Sequence, residues 1–122
     1  MYICVFRGLC LIINNEHFYD SDGNEILNLR RNGTSKDALR LKNLFEQLHF
    51  SVKIFIDLDE KSMRSEINSY ANQSRINPDA YDALCLIILS HGTDGYLYSV
   101  DNDNRINVSH KLTIIFQLLF IC

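Results

Sequence analysis

Ala83-Leu84-Cys85-Leu86-Ile87-Ile88-Leu89, followed at once by Ser90-His91-Gly92, carries the clearest structural signal in the chain. An unbroken apolar run that opens onto small and polar residues suits a strand covered on both faces, the habit of a parallel sheet. A second run of this kind, Gly8-Leu9-Cys10-Leu11-Ile12-Ile13, stands near the start, and the alternating Val52, Ile54 and Ile56 give a strand between the two.

The segments joining these strands carry a helical period. Leu41, Leu44, Phe45 and Leu48 fall at i, i+3, i+4 and i+7, so they form one apolar face while Lys36, Arg40, Lys42 and Glu46 stay in water. Thr34 and Asp37 resemble a capping box at the start of that helix. Asp57 and Asp59 are cap candidates for a second helix with apolar positions Met63, Ile67, Tyr70 and Ala71, closed by Pro78 and its polar neighbours. The order β-α-β-α-β predicts an α/β fold with right-handed crossovers and helices on the sheet's faces. Ligands of such folds bind outside the carboxyl ends of the strands, where the long loop Asn14–Gly33 and the short loop Ser90–Gly95 both emerge.

Beyond the third strand, Gly95–Tyr98 and Arg105–Val108 flank the turn-rich Asp101-Asn102-Asp103-Asn104 and predict a hairpin. Residues 109–122 form an apolar tail in which Leu112, Ile115, Phe116 and Leu119 keep a helical period, although its uniform apolarity also fits a strand.

Composition narrows the functions. The 122 residues, 47% hydrophobic with a net charge of -3, are expected to form one small domain. With no Lys/Arg block, neither a nucleic acid nor an anionic membrane is an expected partner. Met1–Ile13 lacks a basic leader and is interrupted by Arg7, so it reads as a strand rather than a signal peptide, and Leu112–Cys122 has about half the length of a membrane span. Cys4, Cys10, Cys85 and Cys122 show no Cys-x-x-Cys or Cys/His ligand spacing, which favours reduced thiols in a cytoplasmic protein, with no metal and no cofactor expected. Asn-x-Ser/Thr triplets at Asn32, Asn72 and Asn107 have meaning only in a secreted chain. His17, His49 and His110 lack a partner pattern and are assigned to loop, helix end and surface, while Asp57/Asp59 and Asp101/Asp103 lack the completion of a calcium loop.

His91 follows a rigid strand and precedes a glycine, a position that suits a general base able to take a proton from a thiol and return it to an amine. The Gly92 N–H is free to approach a developing oxyanion. A solvated loop histidine is the alternative. Arg31, within Arg30-Arg31-Asn32-Gly33-Thr34 at the same edge, could hold a carboxylate through two parallel hydrogen bonds, the alternative being an ordinary solvated arginine pair.

Three motifs, Arg7-Gly8-Leu9-Cys10-Leu11-Ile12-Ile13-Asn14-Asn15-Glu16-His17-Phe18, Arg31-Asn32-Gly33-Thr34 with Asp37, and Leu89-Ser90-His91-Gly92 with Gly95, resemble the caspase large subunit in order and spacing over roughly residues 7 to 108. The resemblance implies a three-layer sandwich with a mostly parallel sheet, incomplete at its carboxyl end. It also implies a cytosolic peptidase that cleaves protein substrates after aspartate, with His91 as catalytic histidine, Gly92 as oxyanion-hole donor and Arg31 as one of the arginines binding the aspartate. A caspase small subunit and a second caspase protomer are the partners implied for the complete form.

The family's nucleophile motif, Gln-Ala-Cys-[Arg/Gln/Gly]-Gly, is known to lie about 50 residues after the histidine, whereas 31 residues follow His91 here. Cys122 ends an apolar run as the family's cysteine does, but Phe120-Ile121 stands in place of Gln-Ala, and Cys122 is not expected to act as nucleophile. The 122-residue chain alone is therefore expected to be inactive. A catalytically dead caspase-like module that regulates an active relative is the alternative from another class. A receiver-like domain is disfavoured because the first strand ends in Asn14-Asn15 rather than an acidic pair.

Overall fold

A computed structural model of the chain describes residues 7–76, 81–93, 95–101 and 105–107. The strands β1 (Gly8–Asn14), β2 (Phe50–Ile56) and β3 (Ala83–Leu89) make one parallel sheet in the order β2-β1-β3. The central place of β1 explains its unbroken apolar run, since Cys10, Leu11, Ile12 and Ile13 are all buried from both sides.

Alternate residues of β1 face opposite layers. Cys10 and Ile12 pack with Ala38, Phe50 and Ala83 beneath helix α1 (Thr34–Gln47), and Leu11 and Ile13 pack with Met63, Ile67, Tyr70 and Leu86 beneath helix α2 (Glu60–Ile76). The three-layer α/β architecture expected from the sequence is thus present. Gly8 opens β1 where a Cβ atom would stand 2.5 Å from the Phe50 ring, so only a glycine admits that ring between the strands.

Several local expectations are corrected. Helix α1 is not capped by Thr34 and Asp37: its N-cap is Gly33 in the left-handed region (φ 87), with no side-chain cap bond. Thr34 is already helical, and its hydroxyl donates to Asn14 Oδ1 at 2.8 Å instead. The buried stripe of α1 runs through Ala38, Leu41 and Phe45, leaving Leu44 and Leu48 about half exposed, at 49% and 50%. Leu44 lies on the flank of that stripe, and Leu48 stands past the last helical turn.

Asp59 caps α2 as expected, its Oδ1 accepting from the Ser62 N–H at 2.7 Å, but Asp57 does not. Asp57 sits at φ 54 just after β2 and turns its carboxylate back to the loop that follows β1. Finally, β3 is less buried than its composition suggests. Ala83 and Leu86 are buried while the other five residues are partly exposed, because β3 has a neighbouring strand on one side only among the described residues.

After β3 the chain forms a small antiparallel sheet, β4 (Gly92–Thr93), β5 (Tyr96–Tyr98) and β6 (Arg105–Asn107), which bears out the hairpin. Ile106 reaches back into the core beneath α2. The expectations for Met1–Phe6, Pro78, Val108, His110, the 109–122 tail and Cys122 concern residues outside those described.

Candidate active site

The site is built at the carboxyl ends of β1 and β3. Asn14 and Asn15 continue the apolar run of β1 and are themselves buried, at 1% and 0% exposure, an expensive place for amides unless their bonds are satisfied. They are satisfied by tying the rim together. Asn15 Nδ2 donates to Ser90 Oγ at 3.2 Å and lies 3.4 Å from the Tyr98 carbonyl oxygen, while its Oδ1 accepts from the Leu58 N–H at 3.0 Å. The Asn15 N–H donates to the Leu89 carbonyl at 2.8 Å. One side chain therefore links the ends of β1 and β3, the entry to α2 and strand β5.

His91 leaves β3 through Ser90, whose hydroxyl donates to the Tyr98 carbonyl at 2.6 Å. The imidazole lies against the buried ring of Phe18, with centroids 4.8 Å apart at 47°. Its Nε2 is 2.7 Å from the Leu29 carbonyl oxygen. A carbonyl has no proton to give, so in the neutral ring Nε2 carries the hydrogen and Nδ1 keeps its lone pair. Leu29 ends a 3-10 turn, Leu27–Leu29, in the long loop expected between Asn14 and Gly33. That loop is ordered by its own turn chemistry: Asp20 Oδ1 accepts from the N–H groups of Asp22 and Asn24, and Tyr19 pairs with Glu25.

Gly92 is exposed at the start of β4, opposite Leu97. The Tyr98 N–H donates to the His91 carbonyl at 2.9 Å, which makes the His91–Tyr98 pair hydrogen-bonded. Bonded and non-bonded pairs alternate along an antiparallel ladder, so the next N–H, that of Gly92, points away from β5.

Arg31 emerges from the loop that also carries Leu29. Its N–H donates to the Glu16 carbonyl at 2.9 Å, and Nη1 donates to the Asn15 carbonyl at 3.2 Å and to Thr34 Oγ1 at 2.9 Å. Those bonds fix the guanidinium through one nitrogen, and among the described residues the Nε–Nη2 edge of the fork makes no hydrogen bond. Arg30 differs, since Glu25 closes its fork with contacts of 2.5 and 2.6 Å from Nη2 and raises its pKa further. The loop that carries Arg31 also supplies the carbonyl that His91 contacts, which brings the two residues to one rim.

The assignment of His17 to a partnerless loop position is corrected, because its Nδ1 lies 2.8 Å from Asp57 Oδ2. The other oxygen of Asp57 accepts from the N–H groups of Glu16 and His17 at 2.8 and 3.1 Å. Asp57 therefore pins the turn that presents Asn15 to Arg31 and Phe18 to His91. Sequence reasoning missed this residue, Asn15 and the Leu29 carbonyl. Two adjacent asparagines directly after an apolar strand were the available signal for Asn15; a backbone carbonyl leaves none.

Neither described thiol belongs to the rim. Cys10 and Cys85 lie within β1 and β3, and Cys85 is four residues, roughly 13 Å of strand, short of Leu89. Among the described residues no group of three or more His, Cys, Asp or Glu side chains converges to hold a metal ion. No helix among them is long and apolar enough to cross a membrane. A concavity of about 300 Å³ lined by Lys53, Phe55, Glu66 and Tyr70 lies between β2 and α2, away from His91 and Arg31.

Comparison with known proteins gives a consistent family. The caspase domain family model matches residues 7–119. Caspase-1 of Drosophila melanogaster is 35% identical over 112 residues, covering 90% of this chain and 32% of the relative. Cell death protein 3 of Caenorhabditis remanei is 37% identical over 102 residues, covering 84% of this chain and 18% of the relative. Caspase-7 of Gallus gallus is 35% identical over 112 residues, covering 90% and 32%. The chain spans a third or less of the length of these relatives.

Proposed function

The chain belongs to the caspase family, and on that premise we propose that its rim is the histidine-bearing half of an aspartate-directed cysteine endopeptidase. His91 is the general base and acid, the Gly92 N–H donates to the oxyanion, and Arg31 holds the substrate's aspartate carboxylate. The observation that carries this reading is the 2.7 Å contact of His91 Nε2 with the Leu29 carbonyl. It sets the tautomer in which Nδ1 is the base, and Leu29 stands two residues from Arg31.

In the reaction so assigned, Nδ1 takes the proton of a cysteine thiol as the sulfur attacks the carbonyl carbon that follows the substrate aspartate side chain. The developing oxyanion accepts a hydrogen bond from Gly92, and the imidazolium then gives its proton to the leaving amine. Water attacks the thioester, again through Nδ1, and releases the aspartate-ended acid. Since Cys10 and Cys85 are held inside the sheet, the thiol comes from another segment. A caspase small subunit and a second protomer complete the pocket, and the cytosol, where thiols stay reduced, is the compartment that suits a thiolate nucleophile.

The test is a chimera in which residues 7–107 replace the matching segment of an active caspase relative, assayed on a fluorogenic aspartyl peptide. Turnover is expected, with His91→Ala lowering kcat at least ~1,000-fold and Arg31→Ala chiefly raising KM. A chimera that turns over and keeps its activity after His91→Ala refutes the assignment. The 122-residue chain by itself is expected to show no turnover.

A further inference from the structure

Cys10 and Cys85 stand directly opposite one another in the parallel register of β1 and β3, and both are free thiols. Registered residues of neighbouring strands share a face, and both cysteines belong to the apolar cluster under α1. Adjacent strands run about 4.8 Å apart, inside the Cα separation of roughly 4.4–6.8 Å that a disulfide spans. Their access to solvent differs. Cys10 is fully buried, whereas Cys85 is partly exposed, on the strand that has a neighbour on one side only among the described residues. On the opposite face the Tyr70 hydroxyl contacts the carbonyl oxygens of both Leu9 and Cys85, clamping the two strands together at the level of the thiols.

We propose that Cys10 and Cys85 form an oxidisable dithiol site, in which Cys85 is the sulfur that meets a peroxide and Cys10 is the thiol that resolves it. The Cys85 thiolate attacks one peroxide oxygen, breaking the O–O bond and releasing hydroxide, which is protonated to water, and leaves a sulfenic acid. Cys10 then attacks the Cys85 sulfur as a thiolate. The S–O bond breaks, the hydroxyl departs as a second water with the Cys10 proton, and an S–S bond forms. The two sulfurs together lose two electrons, and the peroxide gains them. A hydrogen bond from Cys10 to the Cys85 sulfur lowers the Cys85 pKa and so favours the thiolate that attacks the peroxide.

Each cysteine of the chain falls in its own tryptic peptide, with Cys10 in residues 8–30, Cys85 in 76–105, Cys4 in 1–7 and Cys122 in 112–122. The native 122-residue chain is treated with a small excess of hydrogen peroxide, free thiols are alkylated, and the digest is mapped without reduction. The expected product is a cross-link of peptides 8–30 and 76–105, lighter than their sum by about 2 Da and abolished by dithiothreitol. Cys10→Ser should stop the reaction at a Cys85 sulfenic acid trapped by dimedone, and Cys85→Ser should leave Cys10 alkylatable only on unfolding. Should either variant fail to fold, the wild-type map decides. Cys85 carried to sulfinic acid while Cys10 stays free, or both thiols left unoxidised when Cys4 or Cys122 has reacted, overturns the proposal.

Discussion

Replacing Asn15 by alanine should cost this small domain a large part of its stability, although no apolar contact of note is lost. The amide is fully buried, and its Oδ1 is the acceptor for the Leu58 N–H at the entry to α2. Removing it leaves that donor without a partner in a partly buried position, at about 1–3 kcal/mol, and the lost bond to Ser90 Oγ adds about 1 kcal/mol. The Tyr98 carbonyl is spared, since Ser90 Oγ still donates to it at 2.6 Å. A total of roughly 3 kcal/mol lowers Tm by roughly 15 °C for a chain of this size. Urea unfolding followed by circular dichroism gives the free energy, and amide exchange at Leu58 gives the mechanism, since its protection should fall more than that of β1. Asn15→Asp sharpens the comparison. It keeps the size and the acceptor but turns a carboxylate oxygen toward Ser90 Oγ and the Tyr98 carbonyl, so at neutral pH it should destabilise at least as much as alanine. A loss below about 1 kcal/mol in Asn15→Ala, with Leu58 protection unchanged, would refute the view that this side chain holds the rim together.

Burial pushes the Tyr70 hydroxyl well above its ordinary value of about 10. Because the folded-state value is the raised one, the stability Tyr70 contributes is complete below pH ~10 and is lost as pH rises beyond it toward the folded value. Tyr70→Phe should therefore cost about 1 kcal/mol at neutral pH and show a shrinking difference from wild type in urea titrations above pH ~10. Gly8→Ala forces a Cβ to 2.5 Å from the Phe50 ring, and a loss of about 1–3 kcal/mol is expected in the same titration. Phe50→Leu should relieve part of that loss in the double variant, whereas additive effects would argue against the contact. Phe18→Ala removes a wholly buried ring from beneath His91 and should cost about 3–5 kcal/mol in chemical denaturation.

The sheet was legible because its signal is one of composition: runs such as Cys10–Ile13 have a strong reason to be extended and buried. The register of the helices was less so. The period of Leu41, Leu44, Phe45 and Leu48 identifies α1, but which flank faces the sheet depends on where Ala38 docks, a tertiary choice that periodicity does not encode. Gly33 won the N-cap because the chain must turn through φ 87 there, and Thr34 was then free to serve Asn14. The same apolar run that marks β3 as a strand carries no information on whether its outer edge is covered. At the site, the place of His91 after a strand leaves a solvated loop histidine as open as a general base, and its catalytic role, like the choice of Arg31 over Arg30, comes from family resemblance. The physical reason for that choice is Glu25, which occupies the Arg30 fork. Asp57 has the sequence position of a cap because it precedes a helix, yet it faces backward to the turn before Phe18.

Nitrogen-15 NMR of the His91 imidazole, at a pH where the ring is neutral, reads the arrangement on which the peptidase assignment stands. The proton should reside on Nε2, with cross-relaxation to the Phe18 ring and to Leu29. A ring protonated on Nδ1, or one tumbling freely with no contact to Phe18, would contradict it.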